Sequence, residues 1–170
     1  MAIREILTYP NPFLRRTVAP VTVLDDALQT TIEDMTETMY AEPGVGLAAT
    51  QIGVDQRIIV FDVSPSDGPR HPDALINPEI VFEEGRQLSE NEGCLSVPEF
   101  RSDVERFYKV KVRGMNRKGE PVELEAEGFP SIVLQHEVDH LNGVLFIDRI
   151  SRLKREMYKR RVRKQLKQSE

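Results

Sequence analysis

The sequence has no long apolar run and only one cysteine, Cys94, among its 170 residues. Hydrophobic residues make up 39% of the chain, and no stretch approaches the roughly 20 consecutive apolar residues of a membrane-spanning helix. A single cysteine excludes an internal disulfide. The first residues contain neither the apolar core of a secretory signal nor a serine-rich transit peptide. We therefore expect a cytoplasmic protein, because a thiol stays reduced there.

Charge is unevenly distributed along the chain. The net charge of the whole chain is −5. Residues 149–170 contain ten Lys or Arg and two acidic residues, a net charge of +8, so residues 1–148 carry −13. We expect one domain whose body spans 1–148, with 149–170 as a basic helical extension. Such an asymmetric distribution of charge favours binding of the extension to an anionic partner.

Histidine is also scarce, and two of the three histidines lie in one short motif. Residues 136–140 read His-Glu-Val-Asp-His. Positions four apart on a helix point the same way, so His136 and His140 can bind one metal ion. Glu137 is then placed to take a proton from water at that metal. The alternative is a solvated helix that carries two histidines by chance.

Two histidines rarely hold a catalytic metal ion, which usually has three protein ligands. A related zinc-peptidase motif has its third histidine where this chain has Phe146, and phenylalanine cannot bind a metal. Cys94 is the candidate third ligand, since its thiolate would complete a Cys-His-His set with one open position. Gly93, just before it, lets the backbone pass close to a ligand. Considered alone, a lone cysteine is more often a small buried hydrophobic residue.

A third segment, residues 44–51, reads Gly-Val-Gly-Leu-Ala-Ala-Thr-Gln. A Gly/Ala-rich stretch alone usually indicates tight packing. Together with residues 92–96 and 135–143, in this order and spacing, it closely resembles the bacterial form of peptide deformylase. The resemblance extends to residues 6–15 and covers almost the whole chain. It implies that residues 1–148 are the catalytic deformylase domain.

This resemblance implies a metal-dependent hydrolase of protein biosynthesis. Its substrate would be the N-formyl group of nascent formyl-methionyl peptides, released as formate. Glu137 would carry protons, while the Gln51 side chain and the Leu95 N–H would donate to the oxyanion. A Cys-His-His set suits zinc, iron(II), cobalt or nickel, and the family implies iron(II).

The resemblance also places the peptide beside residues 44–46 as an added strand, with its methionine in an apolar pocket. For the apolar residues predicted to bind the substrate, the alternative is that they only pack in the core. For the charged ones, the alternative is that they are solvated surface residues. The candidate substrate-binding residues are Val45, Gly46, Glu92, Gly93, Arg101, Phe129, Ile132 and Val133.

Hydrophobic spacing predicts a helix over 25–41 and a buried strand over 57–63. Residues 107–127 predict a hairpin with the three-residue loop 117–119 and Gly119 in the left-handed region. This register places Lys109, Lys111 and Arg113 opposite Glu127, Glu125 and Glu123.

Two further helices are predicted after the hairpin, over 130–142 and from 151 to about 167. The first carries the histidines, with Pro130 in its first turn and Gly143 just past its end. The second has a thin apolar stripe of Leu153, Met157, Val162 and Leu166. These elements predict an α+β fold, with antiparallel sheets packed around a central metal-binding helix and a C-terminal helix.

Two other functions compete with deformylation. A metallo-endopeptidase would share the histidine helix, but such enzymes complete the ligand set with histidine or glutamate. A non-catalytic ribosome-associated protein with a structural zinc would need a fourth ligand and leaves Glu137 and Gln51 without a purpose. The expected partners are nascent polypeptides and, through the basic helix, the ribosome, with no DNA and no membrane. Asp139 would either orient a ligand or pair with a basic residue, and His71 reads as an exposed loop residue.

Overall fold

The structure is a computed structural model that describes residues 2–169. Short 3-10 helices span Pro12–Arg15, Ala49–Ile52 and Phe146–Arg149. No helix within 2–169 is both long and apolar enough to cross a membrane. In chain order the main elements are α1 (Asp26–Ala41), β1 (Gly46–Ala48), β2 (Ile58–Phe61), β3 (Asp73–Glu84), β4 (Gln87–Cys94), β5 (Val97–Arg106), β6 (Lys109–Met115), β7 (Pro121–Glu127), α2 (Phe129–Leu141) and α3 (Arg152–Gln168).

The strands form two antiparallel sheets. One has five strands in the order β1-β2-β3-β6-β7, and the other pairs β4 with β5. Val133, Leu134, Val138 and Leu141 of α2 are buried in one hydrophobic cluster with residues of the five-stranded sheet. The predicted α+β fold with antiparallel sheets around the histidine helix is thereby confirmed.

The β6–β7 hairpin has the predicted register. Arg113 pairs with Glu123, Lys111 with Glu125 and Lys109 with Glu127. Gly119 lies in the left-handed region at φ 84°, which glycine adopts without steric cost. The Lys109 ammonium lies 2.7 Å from the diagonal Glu125 carboxylate and 3.8 Å from Glu127 opposite. Alternating apolar residues and opposed charges therefore select the same register.

Helix α1 begins and ends as its pattern predicts. The Asp25 side chain caps its first turn by accepting a hydrogen bond from the Leu28 N–H at 2.9 Å. Leu28, Ile32 and Met35 are each at most 1% exposed. The helix therefore contributes a full apolar face to the core beneath β1 and β2.

The C-terminal helix packs with a different face from the one predicted. Tyr158 and Val162 are buried, whereas Leu153, Met157 and Leu166 are 72%, 60% and 46% exposed. The predicted apolar stripe is therefore wrong except at Val162. The reason is the Tyr158 ring, which lies 4.7 Å from the Phe100 ring and brings the residue four positions later, Val162, onto the same core.

The loop before β3 contains His71. The His71 side chain is 78% exposed, and its backbone N–H donates to the Asp62 carboxylate at 3.0 Å. This is the exposed loop position that the sequence predicts.

Candidate metal centre and peptide cleft

Strand β4 and helix α2 bring three potential metal ligands together. Cys94 is the last residue of β4 and is followed by a tight turn that returns to Val97. His136 and His140 lie one turn apart on α2. The Cys94 sulfur is 3.3 Å from His140 Nε2, which is 3.2 Å from His136 Nε2. All three ligand atoms lie within 4.8 Å of one another.

These spacings match the demands of one tetrahedral ion. Metal bonds of about 2.0–2.1 Å to nitrogen and about 2.3 Å to sulfur place the ligand atoms about 3.3–3.6 Å apart. Burial holds the pKa of His140 well below its ordinary value, so its ring is neutral and can donate a lone pair. The three residues therefore fit a divalent metal ion by both spacing and chemistry.

His136 is oriented from behind by Glu92. The His136 Nδ1 lies 2.7 Å from the Glu92 carboxylate, so a proton on Nδ1 leaves Nε2 free to face Cys94 and His140. Burial raises the pKa of Glu92, but hydrogen bonds from His136 and Arg106 outweigh it and lower the pKa to about 2. The carboxylate is therefore ionised and fixes the tautomer of the ring.

Glu137 presents a buried carboxylate with an unused oxygen. Its side chain is 5% exposed, and its Oε1 has no hydrogen-bond partner among residues 2–169. Burial raises the pKa of Glu137 to about 7. A carboxyl group with a pKa near neutrality can both accept and return a proton at physiological pH.

Gln51 lies on the sulfur side of the cluster. Its Oε1 accepts the Ala48 N–H at 3.0 Å, which fixes which end of the amide points toward Cys94. Its Nε2 donates to Ser96 Oγ at 3.1 Å and lies 3.7 Å from the Cys94 sulfur. The Ser96 N–H also donates to that sulfur at 3.4 Å. The Ser96 N–H is therefore directed at the sulfur, and the Gln51 amide nitrogen lies beside it.

A cleft of about 720 Å³ opens over the cluster. Val45 and Phe129 are 45% and 55% exposed, whereas Val133 is 4% exposed and also belongs to the core. His140 lies outside the lining residues, beneath the cleft floor. Every other predicted site residue lines the cleft, namely Val45, Gly46, Gln51, Glu92, Gly93, Cys94, Leu95, Arg101, Phe129, Ile132, Val133, His136 and Glu137.

Glu92 is among the residues that line the cleft. Its side chain is 6% exposed, and both carboxylate oxygens bond protein groups, His136 and Arg106. Those bonds place the Glu92 carboxylate against the His136 ring, and its predicted contact with the substrate stays a prediction. Gly93, the next residue, is closely packed, because a Cβ atom there would lie 3.0 Å from the Arg101 guanidinium.

The sequence analysis missed Arg106 and Arg149. Arg106 is 2% exposed and bonds both Glu92 and Asp139, and Arg149 also pairs with Asp139. Asp139 makes the pairing with basic residues that one of its two alternatives predicts. Arg106 ends a strand rich in charged residues, so no local signal distinguishes it from solvated neighbours.

Comparisons with known proteins all point to one family. The sequence matches the family model described as polypeptide deformylase over residues 3–156. It is 50% identical to the peptide deformylase of Desulfosudis oleivorans over 99% of this chain and 98% of that protein. The structure is similar to that of the Legionella pneumophila peptide deformylase, with a TM-score of 0.89, 45% identity and coverage of 99% and 98%. It is also similar to an Ehrlichia chaffeensis peptide deformylase in complex with actinonin, with a TM-score of 0.90, 35% identity and coverage of 97% and 98%.

Proposed function

The chain belongs to the polypeptide deformylase family, and we propose that Cys94, His136 and His140 form its metal centre. The enzyme removes the N-formyl group from formyl-methionyl nascent peptides and releases formate. The observation that carries the assignment of the site is the meeting of three ligand atoms within 4.8 Å beside the unpaired carboxylate oxygen of Glu137. The rival functions, a metallo-endopeptidase and a non-catalytic zinc protein, have no support in the comparisons.

A divalent ion held by these three residues supplies the positive charge that polarises a carbonyl group and acidifies water. We propose iron(II) as the native ion, because the donor set suits it and the family resemblance implies it. Zinc, nickel and cobalt suit the same donors. Metal analysis of protein purified without oxygen tests the choice, and a different ion in stoichiometric amount contradicts it.

The chain's own residues move the proton and stabilise the developing charge. Glu137 takes a proton from the attacking water and returns it to the leaving amine, since an amide expels its nitrogen readily only when that nitrogen is protonated. The Gln51 side-chain amide and the Leu95 N–H donate to the oxyanion. Removing one such donor typically costs about 2.7–4 kcal/mol of barrier.

Strand β1 offers a place for the peptide backbone. It is the first strand in the order of the five-stranded sheet, so one of its edges has no partner strand among residues 2–169. An extended peptide can add to such an edge through main-chain hydrogen bonds. Val45, Ile132, Val133 and Phe129 border the cleft next to this edge. They provide apolar surface for the methionine side chain.

We propose that the enzyme works in the cytoplasm, where nascent chains emerge. We also propose that helix α3 binds the ribosome. Its buried face is occupied by Tyr158 and Val162, so the basic face remains outside. Arg152, Lys154, Arg160, Arg163, Lys164 and Lys167 are exposed, and none pairs with a carboxylate within residues 2–169 in the observed ion pairs, whereas Lys159 and Arg149 do.

Charge reversal tests the ribosome proposal more cleanly than truncation after Asp148, because truncation also uncovers the surface beneath Tyr158. Replacing Arg160, Lys164 and Lys167 by glutamate should abolish co-sedimentation with ribosomes while formate release from a short peptide persists. Binding by the unaltered chain should weaken steeply with salt. Undiminished co-sedimentation of the reversed variant contradicts a role for this face.

The activity itself is tested with one formylated peptide that also contains several internal amide bonds. Formate release without internal cleavage is expected from the purified, metal-loaded enzyme. An acetylated peptide of the same sequence serves as the control, since its extra methyl group crowds the carbonyl. Internal cleavage without formate release would instead support the endopeptidase.

A further inference from the structure

Asp139 and Glu92 are held together by one buried guanidinium. Arg106 is 2% exposed. Its Nη1 donates to Asp139 at 2.9 Å, while its Nε donates to Glu92 at 3.3 Å and its Nη2 bonds the second Glu92 oxygen. Asp139 lies on α2 between His136 and His140 in the sequence, and Glu92 lies on β4 two residues before Cys94. Arg106 therefore joins the two elements that carry the metal ligands.

A second arginine extends this connection to the protein surface. Arg149, in the 3-10 helix that precedes α3, grips both oxygens of Asp139, with Nε at 2.6 Å and Nη2 at 2.7 Å. Its side chain is 45% exposed. A continuous series of charge-assisted hydrogen bonds thus runs from Arg149 through Asp139, Arg106 and Glu92 to His136 Nδ1.

We propose that Arg149 is a positioning residue for the metal ligand His136, acting through this series. Arg149 fixes both oxygens of Asp139, so Asp139 presents one oxygen to Arg106 in a single orientation. Arg106 in turn holds the Glu92 carboxylate against the His136 ring. The inference rests on the proposed metal centre, because positioning His136 matters only if its Nε2 binds a metal.

The charges along the series also balance one another. The four members between His136 and the surface alternate in sign, so each is flanked by opposite charge and none is left alone in the interior. Without Arg149, Asp139 and Glu92 would share the single cation Arg106. Arg106 would then divide its hydrogen bonds differently between the two carboxylates, and the support behind His136 would loosen.

The chain contains a matched control for Arg149. Arg15 bonds both oxygens of Asp148 and is 37% exposed, so it has the same chemistry, a similar exposure and a neighbouring acidic partner. Asp148 has no bond to Arg106, Glu92 or His136 among residues 2–169. Loss of Arg15 therefore removes a comparable ion pair, together with its hydrogen bond to the Gly143 carbonyl, but removes no member of the series.

The test measures cobalt(II) affinity of metal-free protein by chelator competition, together with the visible absorption of bound cobalt. Removing a group that directly supports a metal ligand typically weakens binding about 10–100-fold. Because Arg149 acts from further away, we expect Arg149→Gln to weaken cobalt binding about 3–10-fold and to shift the absorption bands. Arg149→Lys, which keeps the charge but not the paired hydrogen bonds, should recover part of the loss. Arg15→Gln should leave both readouts unchanged.

The outcomes distinguish a failure of the positioning role of Arg149 from a failure of the metal centre itself. If Arg149→Gln binds cobalt as tightly as Arg15→Gln and with an unchanged spectrum, the positioning role is overturned while the metal centre stands. If the unaltered protein binds cobalt no better than Cys94→Ala, the metal centre itself fails, and the positioning role fails with it. Thermal unfolding of all variants shows whether a loss of affinity reflects global destabilisation. Arg149→Gln and Arg15→Gln should lower the unfolding temperature by similar amounts.

Discussion

Gly46 on β1 lies directly against the Glu137 carboxylate on α2. A Cβ atom at residue 46 would overlap Oε2, Cδ and Cγ of Glu137 at separations that real Cβ atoms essentially never show. The backbone is not in the left-handed region at this residue, so the need for glycine comes from the close approach alone. The strand that is proposed to bind the peptide therefore also sets the position of the proposed proton carrier.

Gly46→Ala should displace the Glu137 carboxylate and lower kcat about 100-fold, since a misplacement of about 1 Å can cost that much. The free energy of unfolding should fall by about 1–3 kcal/mol, because the added methyl group must displace a buried side chain. Steady-state formate release and chemical denaturation measure the two effects.

Gly44→Ala is the neighbouring control for this prediction. A Cβ there would meet the flexible Leu95 side chain at 3.2 Å, so only a small loss is expected. A Gly46→Ala enzyme with normal kcat would show that the position of the Glu137 carboxylate is unimportant.

The packing of α3 predicts a contrast between two adjacent residues. Tyr158 is 3% exposed and Met157 is 60% exposed. Tyr158→Ala should lower the free energy of unfolding by about 3 kcal/mol, as for other buried aromatic side chains. Met157→Ala should change it by less than about 0.5 kcal/mol. Equal effects in urea denaturation would mean that α3 does not pack through Tyr158.

Asp62 predicts an acid-dependent part of the stability. Burial raises the pKa of Asp62, but hydrogen bonds from Ser64, Tyr40 and the His71 N–H outweigh it, and the pKa lies well below its ordinary value. The unfolded chain has a pKa of about 3.9 at this residue. The stabilisation is therefore complete above that pH and is lost as the pH falls toward the lower folded value.

The stability difference between the unaltered chain and Asp62→Asn should accordingly be constant from pH 7 to about pH 5 and shrink below about pH 4. Asp67→Asn, in the same loop, is the control, because Asp67 accepts no side-chain hydrogen bond within residues 2–169 in the observed set. A difference that stays constant down to pH 3 would contradict the account of Asp62.

Local features of the fold could be predicted because short-range physics decides them. The β6–β7 register follows from alternation and from opposed charges, and both are visible within 20 residues of sequence. The start of α1 follows from a capping aspartate and helical spacing. The buried face of α3 could not be predicted in this way, because Tyr158 is buried by packing against residues such as Phe100 that are distant in the sequence.

The same distinction applies to the site. His136 and His140 share a helix, so spacing alone brings them together, and Cys94 follows from the need for a third ligand. The support behind His136 joins residues from β4, β5, α2 and the Phe146–Arg149 turn. Each of these charged residues reads as a solvated surface group until the fold places it, which is why the sequence alone reveals neither the Glu92–His136 contact nor the role of Arg106.

The central claim is that Cys94 holds a metal ion while Glu137 moves protons without holding it. The most direct test measures metal content and formate release on the same preparations of Glu137→Ala and Cys94→Ser. Glu137→Ala should retain stoichiometric metal and lose about 10²–10⁴-fold in kcat, as expected for a general acid–base residue. Cys94→Ser should lose metal, because a serine hydroxyl is largely protonated and binds metal poorly. Near-normal formate release by Glu137→Ala, or full metal retention by Cys94→Ser, would contradict the account.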